Sequence, residues 1–214
     1  ASLHISRALR MTVGRELIIF DGCGNEYPAT IIEVNKKHVA VHTSEAVCRN
    51  NESPLKIHLG QSMSRGDRMD YSIQKAVELG VSDITPLFSE RSEVKLKGER
   101  LDKKMAHWQG VVISACEQCG RNTLPKLHKP QTVVDWCQST EDTLKLVLHH
   151  RAAKDLNSFE RPGSTSLLVG PEGGLTEQEI NIAEKEGFNS VLFGPRILRT
   201  ETAALCAISV LQAK

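Results

Sequence analysis

The chain has 214 residues, of which 40% are apolar and 25% are charged, and its formal net charge at pH 7 is +1. This composition is typical of a soluble globular protein, and no apolar run approaches the roughly 20 residues that a membrane-spanning helix needs. A membrane role is therefore not expected, and the net charge alone does not indicate a nucleic-acid partner.

The N-terminal residues carry no secretory signal, because residues 1–7 lack an apolar stretch and a small-residue cleavage site. We therefore expect a cytoplasmic protein. Residue 1 is not Met, so we expect the natural chain to begin earlier. The six cysteines are scattered along a chain that is large enough to fold without disulfides, so reduced thiols are expected.

Strand patterns joined by tight turns fill the first part of the chain. Glu16–Phe20 is apolar and precedes the hairpin-turn sequence Asp21–Gly24, and residues 29–34 and 38–43 are rich in β-branched side chains. These strands predict a small barrel or a curled sheet. Residues 49–54 are polar and end in proline, as linkers do, so we place a first domain at 1–54 and a second at 55–214.

Strand and helix patterns alternate from residue 55 onward. The predicted strands are 56–62, 83–88, 144–149, 166–169 and 190–193, and the predicted helices are 67–79, 99–119, 176–186 and 200–213. Thr176 and Glu179 have the spacing of a capping box, and Gly187 is the predicted C-cap of the same helix. The alternation predicts an α/β domain with a mainly parallel sheet that is covered on both faces. Such sheets bind ligands beyond the carboxyl ends of their strands.

A glycine-rich stretch, Gly170–Gly174, lies between the predicted strand 166–169 and the capped helix. Backbone N–H groups at such a position can meet a polar or anionic ligand, and glycine allows the ligand to approach closely. The stretch matches neither the Walker pattern nor the dinucleotide-binding pattern. Glu172 between the glycines favours a ligand site, and a simple strand-to-helix turn is the alternative.

A second stretch, residues 194–202, repeats this arrangement after the predicted strand 190–193. Its Arg196 and Arg199 can hold a phosphate or stabilise an anionic base, since guanidinium donors suit planar acceptors. An ion pair with Glu201 or Glu172 is an equally good interpretation of the charge pattern.

Other features favour structural interpretations. Cys116 and Cys119 have the spacing of a zinc or redox pair, but they lie within a helical pattern and have no second pair, so we predict no metal site. His149 and His150 end a strand and either line a site or lie at the surface. Clusters of basic residues such as 95–104 more often form solvated faces than RNA sites.

Blocks of residues in a fixed order also resemble one enzyme family. They are 66–70, 74–81, 90–92, 117–122, 169–175 and 194–203. Over nearly its whole length the chain resembles the RsmE family, the bacterial 16S rRNA uridine-N3 methyltransferases of the SPOUT superfamily.

The resemblance implies an S-adenosylmethionine-dependent methyltransferase with a knotted (trefoil) α/β domain and a PUA-like N-terminal β-barrel. It implies a homodimer that acts on 16S rRNA in the small ribosomal subunit. Knots are very rare in proteins, so the general rules of chain connection argue against one. The prediction of a knot therefore rests on the resemblance alone. The resemblance also implies a cofactor site at Leu148, His149, Gly170, Pro171, Glu172, Gly173, Gly174, Phe193, Gly194, Ile197, Leu198 and Thr200.

Methylation of uridine N3 requires loss of the imide proton, and a fixed cation would stabilise the anion that forms. Arg199, beside the predicted cofactor loop, is the first candidate for this cation. Arg121 is the second, because the resemblance implies that its motif lies near the knot. Glu172 and Glu201 are predicted to accept the proton or orient the cofactor. RNA contacts are expected at Arg7, Arg10, Arg91, Asn122 and Arg196. Two alternatives remain open: a non-catalytic RNA-binding assembly factor, and a related methyltransferase acting on tRNA or on a ribose 2′-hydroxyl.

Overall fold

The computed structural model describes residues 2, 5, 6, 9–35, 37–160 and 163–213. The predicted RNA-binding residue Arg7 lies outside the described residues. The chain divides into two compact units: unit 1 is Ala1–Glu52 with Gly120–Leu124, and unit 2 is Ser53–Cys119 with Pro125–Lys214. The predicted boundary after residue 54 lies near the first division, whereas the prediction did not assign Gly120–Leu124 to the N-terminal unit.

Unit 1 is built on an antiparallel sheet. Its strands are β1 (Glu16–Phe20), β2 (Asn25–Val34), β3 (Val39–Thr43) and β4 (Val47–Cys48), and β2 pairs with each of the others. Asp21 closes the β1–β2 turn, because its Oδ1 accepts the N–H groups of Cys23 at 2.7 Å and Asn25 at 3.2 Å. The predicted hairpin is confirmed, and closure of these strands into a barrel stays a prediction.

Unit 2 is built on a parallel sheet. Its strands are β5 (Lys56–Ser62), β6 (Asp83–Phe88), β7 (Lys126–Leu127), β8 (Gln131–Thr132), β9 (Leu144–Leu148), β10 (Lys154–Asp155), β11 (Ser164–Val169) and β12 (Asn189–Leu192). Among the described residues the order is β10-β12-β9-β11-β5-β6-β7, β8 also pairs with β6, and all pairs are parallel.

Both faces of this sheet are covered. Successive residues Leu167, Leu168 and Val169 point to opposite faces, and each is no more than 2% exposed. The predicted α/β class with a parallel sheet is therefore confirmed, whereas the knot stays a prediction.

The helices of unit 2 pack in two groups. They are α1 (Arg68–Glu78), α2 (Glu99–Cys119), α3 (Val133–Ser139), α4 (Glu177–Lys185) and α5 (Thr200–Gln212). Helix α1 contacts α2 and α5, while α3 contacts α4. None of the helices in the described ranges combines the length and the apolar character that a membrane span requires.

Local signals set both ends of α4 and the start of α3. The capping box of Thr176 and Glu179 opens α4 as predicted. The C-cap is Glu186, one residue before the predicted Gly187, which follows it in the left-handed conformation with a φ of +88°. Helix α3 was not predicted, because seven residues are too few to show a period, although Thr132 caps it by accepting the N–H of Asp135. The short strands β7, β8 and β10 escaped prediction for the same reason.

A tryptophan packed against a glycine lies in the core between α3 and the sheet. Trp136 of α3 is 1% exposed and lies over Gly60 of β5. A Cβ atom on Gly60 would lie 2.6 Å from the indole ring, so this strand position accepts no side chain while Trp136 stays in place.

Candidate active site

A cavity of about 520 Å³ lies at the carboxyl ends of three neighbouring strands of unit 2, β9, β11 and β12. Its walls include the strand-end residues Leu148, Val169 and Leu192 and the loops that follow β11 and β12. We call residues 170–174 the glycine loop and residues 194–199 the arginine loop. The cavity therefore lies at the edge of the sheet where the sequence predicts a ligand site.

The cavity brings together most of the predicted site residues. Predicted cofactor residues that line it are Leu148, His149, Gly170, Pro171, Glu172, Gly173, Gly174, Phe193, Ile197, Leu198 and Thr200, and predicted catalytic or RNA-binding residues that line it are Arg91, Arg196, Arg199 and Glu201. Gly194 is not among the lining residues. It has a φ of +68° and shapes the turn after β12 instead.

The glycine loop forms a compact turn against its own neighbours. The N–H of Gly174 donates to Pro171 O at 2.8 Å, and Gly174 has a φ of +71°. A Cβ atom on Gly170 would lie 3.0 Å from Leu175 Cγ and 3.1 Å from the Leu175 nitrogen. Close backbone approach explains the glycine at position 170, and a left-handed conformation explains the one at position 174.

Thr200 links the glycine loop to the start of α5. Its Oγ1 donates to Gly170 O at 2.6 Å and accepts a hydrogen bond from Gln61 Nε2 at 3.0 Å. Gln61 is a fully buried residue of β5. The sequence did not identify Gln61 as a site residue, because a glutamine in an apolar strand shows no signal of the partner it will meet.

Glu172 pairs with a cation that the sequence did not connect to it. Arg68, at the start of α1, places Nη1 3.0 Å from Glu172 Oε1, and both side chains are partly exposed. The pairing of Glu172 with Arg196 or Arg199, which the charge pattern allowed, is absent among the described residues.

The arginine loop presents two cations at the cavity. Arg196 and Arg199 are exposed, and within the described residues neither forms an ion pair. Arg199 is the N-cap residue of α5, and its side chain makes no capping hydrogen bond. The two guanidinium groups are thus available to an anionic ligand or to an anion that forms during a reaction.

Glu201 supplies a buried acceptor on the cavity wall. Its Oε2 is shielded from solvent and has no hydrogen-bond partner among the described residues. A buried polar atom without a partner is costly, so this oxygen favours a ligand that brings a donor.

His149 is an electrically neutral part of the cavity wall at neutral pH. Burial lowers its pKa below the usual 6.5, and the neighbouring His150 and Arg151 act in the same direction. A neutral imidazole lets a cationic ligand bind beside it without charge repulsion.

Among the described residues, three predicted site residues lie in unit 1. Arg121 is 6% exposed, and its guanidinium binds the carboxylate of Glu52, with Nε 3.0 Å from Oε1. The Asn122 amide donates to Arg49 O at 2.7 Å and to Glu26 Oε1 at 3.2 Å. Arg10 is exposed and has a φ of +49°. The structure thus gives Arg121 and Asn122 internal partners, and their proposed catalytic and RNA roles stay predictions.

Comparison with known proteins adds a second line of support. The RNA methyltransferase domain family matches residues 51–212, and the RNA methyltransferase PUA domain family matches residues 1–43. Ribosomal RNA small subunit methyltransferase E of Buchnera aphidicola (subspecies Schizaphis graminum) is 41% identical over 99% of this chain and 87% of its own length. The chain belongs to the RsmE family of RNA methyltransferases.

Solved structures of similar proteins agree with this assignment. A methyltransferase from Legionella pneumophila, solved with the bound cofactor SAM, is 44% identical, covers 100% of this chain and 88% of its own, and has a TM-score of 0.97. Ribosomal RNA small subunit methyltransferase E from Neisseria gonorrhoeae, bound to S-adenosyl methionine, is 40% identical and has a TM-score of 0.91. The match covers 99% of this chain and 88% of the Neisseria chain. Family membership confirms the resemblance drawn from the sequence, including the PUA-like assignment of the N-terminal region.

Some residues that line the cavity of this RsmE-family chain were missed by sequence reasoning. They are Arg68, Val169, Leu175, Ile180, Val191, Leu192 and Ala203. Most are apolar residues of strands and helices, and their pattern indicates only burial. Among the described residues there is no group of three or more histidine, cysteine or carboxylate side chains that could hold a metal ion.

Proposed function

We propose that this enzyme transfers a methyl group from S-adenosylmethionine to N3 of a uridine in the RNA of the small ribosomal subunit. The observation that carries the proposal is that the glycine loop, the arginine loop and the buried oxygen of Glu201 all line the same cavity. The names of the Buchnera and Neisseria relatives and the SAM bound in the Neisseria structure support the substrate and the cofactor.

The residues of the cavity fit S-adenosylmethionine. A volume of about 520 Å³ lies in the range of cofactor pockets. Leu148, Phe193 and Leu198 provide apolar wall for an adenine ring, and the glycine loop provides exposed backbone groups. The unpartnered Oε2 of Glu201 accepts a hydrogen bond from a donor on the cofactor or the base.

The chemistry divides between the cofactor and the side chains of the arginine loop and α5. The bound cofactor supplies a methyl group activated by its sulfonium. Arg199 is our candidate for the cation that stabilises the uracil anion after N3 loses its proton, because its guanidinium lines the cavity and forms no ion pair among the described residues. Glu201 is our candidate for the proton acceptor, since Glu172 is already paired with Arg68.

RNA binding is assigned to cations at the cavity and in unit 1. Arg196 lines the cavity, and Arg10 is exposed on unit 1, so each can contact phosphate. The phosphate contact that the sequence predicts for Arg91 stays a prediction. A catalytic role for Arg121 requires that it leave its pair with Glu52. We also propose that the enzyme acts as a homodimer in the cytoplasm, as the family resemblance implies, and sedimentation equilibrium tests the dimer.

Nucleoside analysis of the methylated RNA tests the function. Purified enzyme is incubated with small ribosomal subunits and methyl-labelled S-adenosylmethionine, and the RNA is digested to nucleosides. Label in N3-methyluridine supports the proposal, with Arg199→Ala as the control. Label on a ribose hydroxyl, or only on tRNA, favours the related methyltransferase. Absence of both cofactor binding and transfer favours a non-catalytic assembly factor.

A further inference from the structure

The loop that follows β6, residues 89–92, contacts the backbone at the end of the glycine loop through one side chain. Arg91 Nη1 donates hydrogen bonds to Gly173 O at 3.2 Å and to Leu175 O at 3.4 Å. Arg91 has no ion pair with a carboxylate in the part of the chain that the structure describes. Its guanidinium therefore acts on the backbone between the glycine loop and α4.

Residues 89–92 are themselves held by bonds that do not involve the Arg91 side chain. The N–H of Glu90 donates to Glu179 Oε1 at 3.0 Å, and Ser92 Oγ donates to a carbonyl just beyond β5 at 3.0 Å. Glu179 is 3% exposed, and its Oε2 accepts the N–H of Thr176 at 2.8 Å. Because both neighbours of Arg91 are fixed, loss of its guanidinium should leave residues 89–92 in place.

The glycine loop needs support from outside. Three of its five residues are glycines, whose backbones have wide conformational freedom, and the Gly174–Pro171 hydrogen bond closes only one turn. Arg91 also packs closely against Gly173, since a Cβ atom on Gly173 would lie 3.4 Å from Arg91 Cβ. A loop held in its binding shape loses less conformational entropy when a ligand binds.

We propose that Arg91 is a positioning residue that holds the glycine loop in its cofactor-binding shape. The proposal rests on the proposed function, in which this loop binds S-adenosylmethionine. It differs from the phosphate contact that the sequence predicts for Arg91, because a phosphate contact acts only when RNA is present. The two roles therefore separate in a cofactor-binding experiment without RNA.

Calorimetry of S-adenosylmethionine binding to the full chain, without RNA, tests the proposal. We expect Arg91→Ala to raise the cofactor Kd about tenfold, as the loss of a charge-assisted hydrogen bond does. Arg91→Lys keeps one donor and the charge, so an intermediate Kd is expected. Arg100→Ala is the matched control, because Arg100 is an exposed arginine of α2 that does not line the cavity, and its Kd should equal that of the wild type.

Kinetics provide a readout that loss of fold would not produce. In methylation assays with saturating RNA, Arg91→Ala should raise KM for the cofactor about tenfold and change kcat much less. An unchanged cofactor Kd in both variants, with weaker RNA binding, overturns the proposal and makes Arg91 a phosphate contact. If the wild-type chain itself does not bind S-adenosylmethionine, the proposed function fails instead. Thermal unfolding verifies that each variant is folded. If Arg91→Ala does not fold, the cofactor Kd of Arg91→Lys tests the proposal.

Discussion

The glycine loop and the arginine loop line the same cavity, but neighbouring residues hold them differently. The glycine loop is bonded from outside by Arg91, by Thr200 and by the pair of Glu172 with Arg68. The arginine loop carries two cations without ion pairs in the described residues, and its Ile197 is 83% exposed.

Because of this contrast, we expect the two loops to have different roles in one site. A loop whose shape is fixed by surrounding groups suits a cofactor that must bind in one orientation. Cations without partners suit an RNA substrate and an anion that exists only during the reaction. Changes in the glycine loop should therefore act on cofactor affinity, and changes in the arginine loop should act on turnover and on RNA.

Arg199→Ala should have the largest effect. We expect kcat for RNA methylation to fall about a thousandfold, because the uracil anion loses its stabilising cation. Cofactor Kd, measured by calorimetry, should stay within a few-fold of the wild-type value. Near-normal turnover on ribosomal RNA would show that Arg199 does not stabilise the anion.

Gly173→Val should act on the cofactor instead. A side chain at this position meets Arg91 and occupies space at the cavity, so we expect the cofactor Kd to rise about thirtyfold. Gly110→Val is the control, because a Cβ atom there has no neighbour within 4 Å. Equal affinities of the two variants would remove the glycine loop from the cofactor site.

Thr200→Val should loosen the glycine loop from its other side. The change removes the donor to Gly170 O and leaves Gln61 Nε2 without its acceptor on Thr200. We expect a cofactor Kd about tenfold higher, and Thr200→Ser, which keeps the hydroxyl, should restore it. Failure of the serine variant to restore binding would point to packing rather than to the hydrogen bond.

Arg196→Ala should act on RNA alone and more weakly. Loss of one phosphate contact should weaken RNA affinity a few-fold and reduce the salt slope of binding by about 1. Filter binding over a series of salt concentrations measures this slope. A changed cofactor Kd, with an unchanged slope, would contradict the division between the loops.

The pH dependence of cofactor binding should be the smallest effect. Because burial lowers the pKa of His149 below 6.5, the imidazole is neutral from about pH 8 to about pH 7, and affinity should be flat there. As pH falls further through the lowered pKa, the imidazolium should repel the cationic cofactor and weaken binding a few-fold. Calorimetry on His149→Asn should show no such decline, and a decline that persists in this variant would assign it to another group.

The order of the elements could be read from the sequence because its causes are local. Strands of branched residues, the hairpin turn at Asp21 and the capping box at Thr176 each depend on residues a few positions apart. The placement of both loops at the carboxyl ends of parallel strands follows from the alternation itself. The family blocks then pointed to a methyltransferase.

The partners of charged and polar groups were decided only by the tertiary structure. Arg68 and Glu172 are 104 positions apart, and Arg91 and Gly173 are 82 apart, so no local pattern connects them. The charge pattern allowed Glu172 to pair with Arg196 or Arg199, whereas the fold pairs it with Arg68. The family resemblance suggested Arg121 as a catalytic cation, and only the fold shows its pair with Glu52. Hydrogen bonds and ion pairs act over a few ångströms in space, and the sheet order of unit 2 determines which distant residues come within that range.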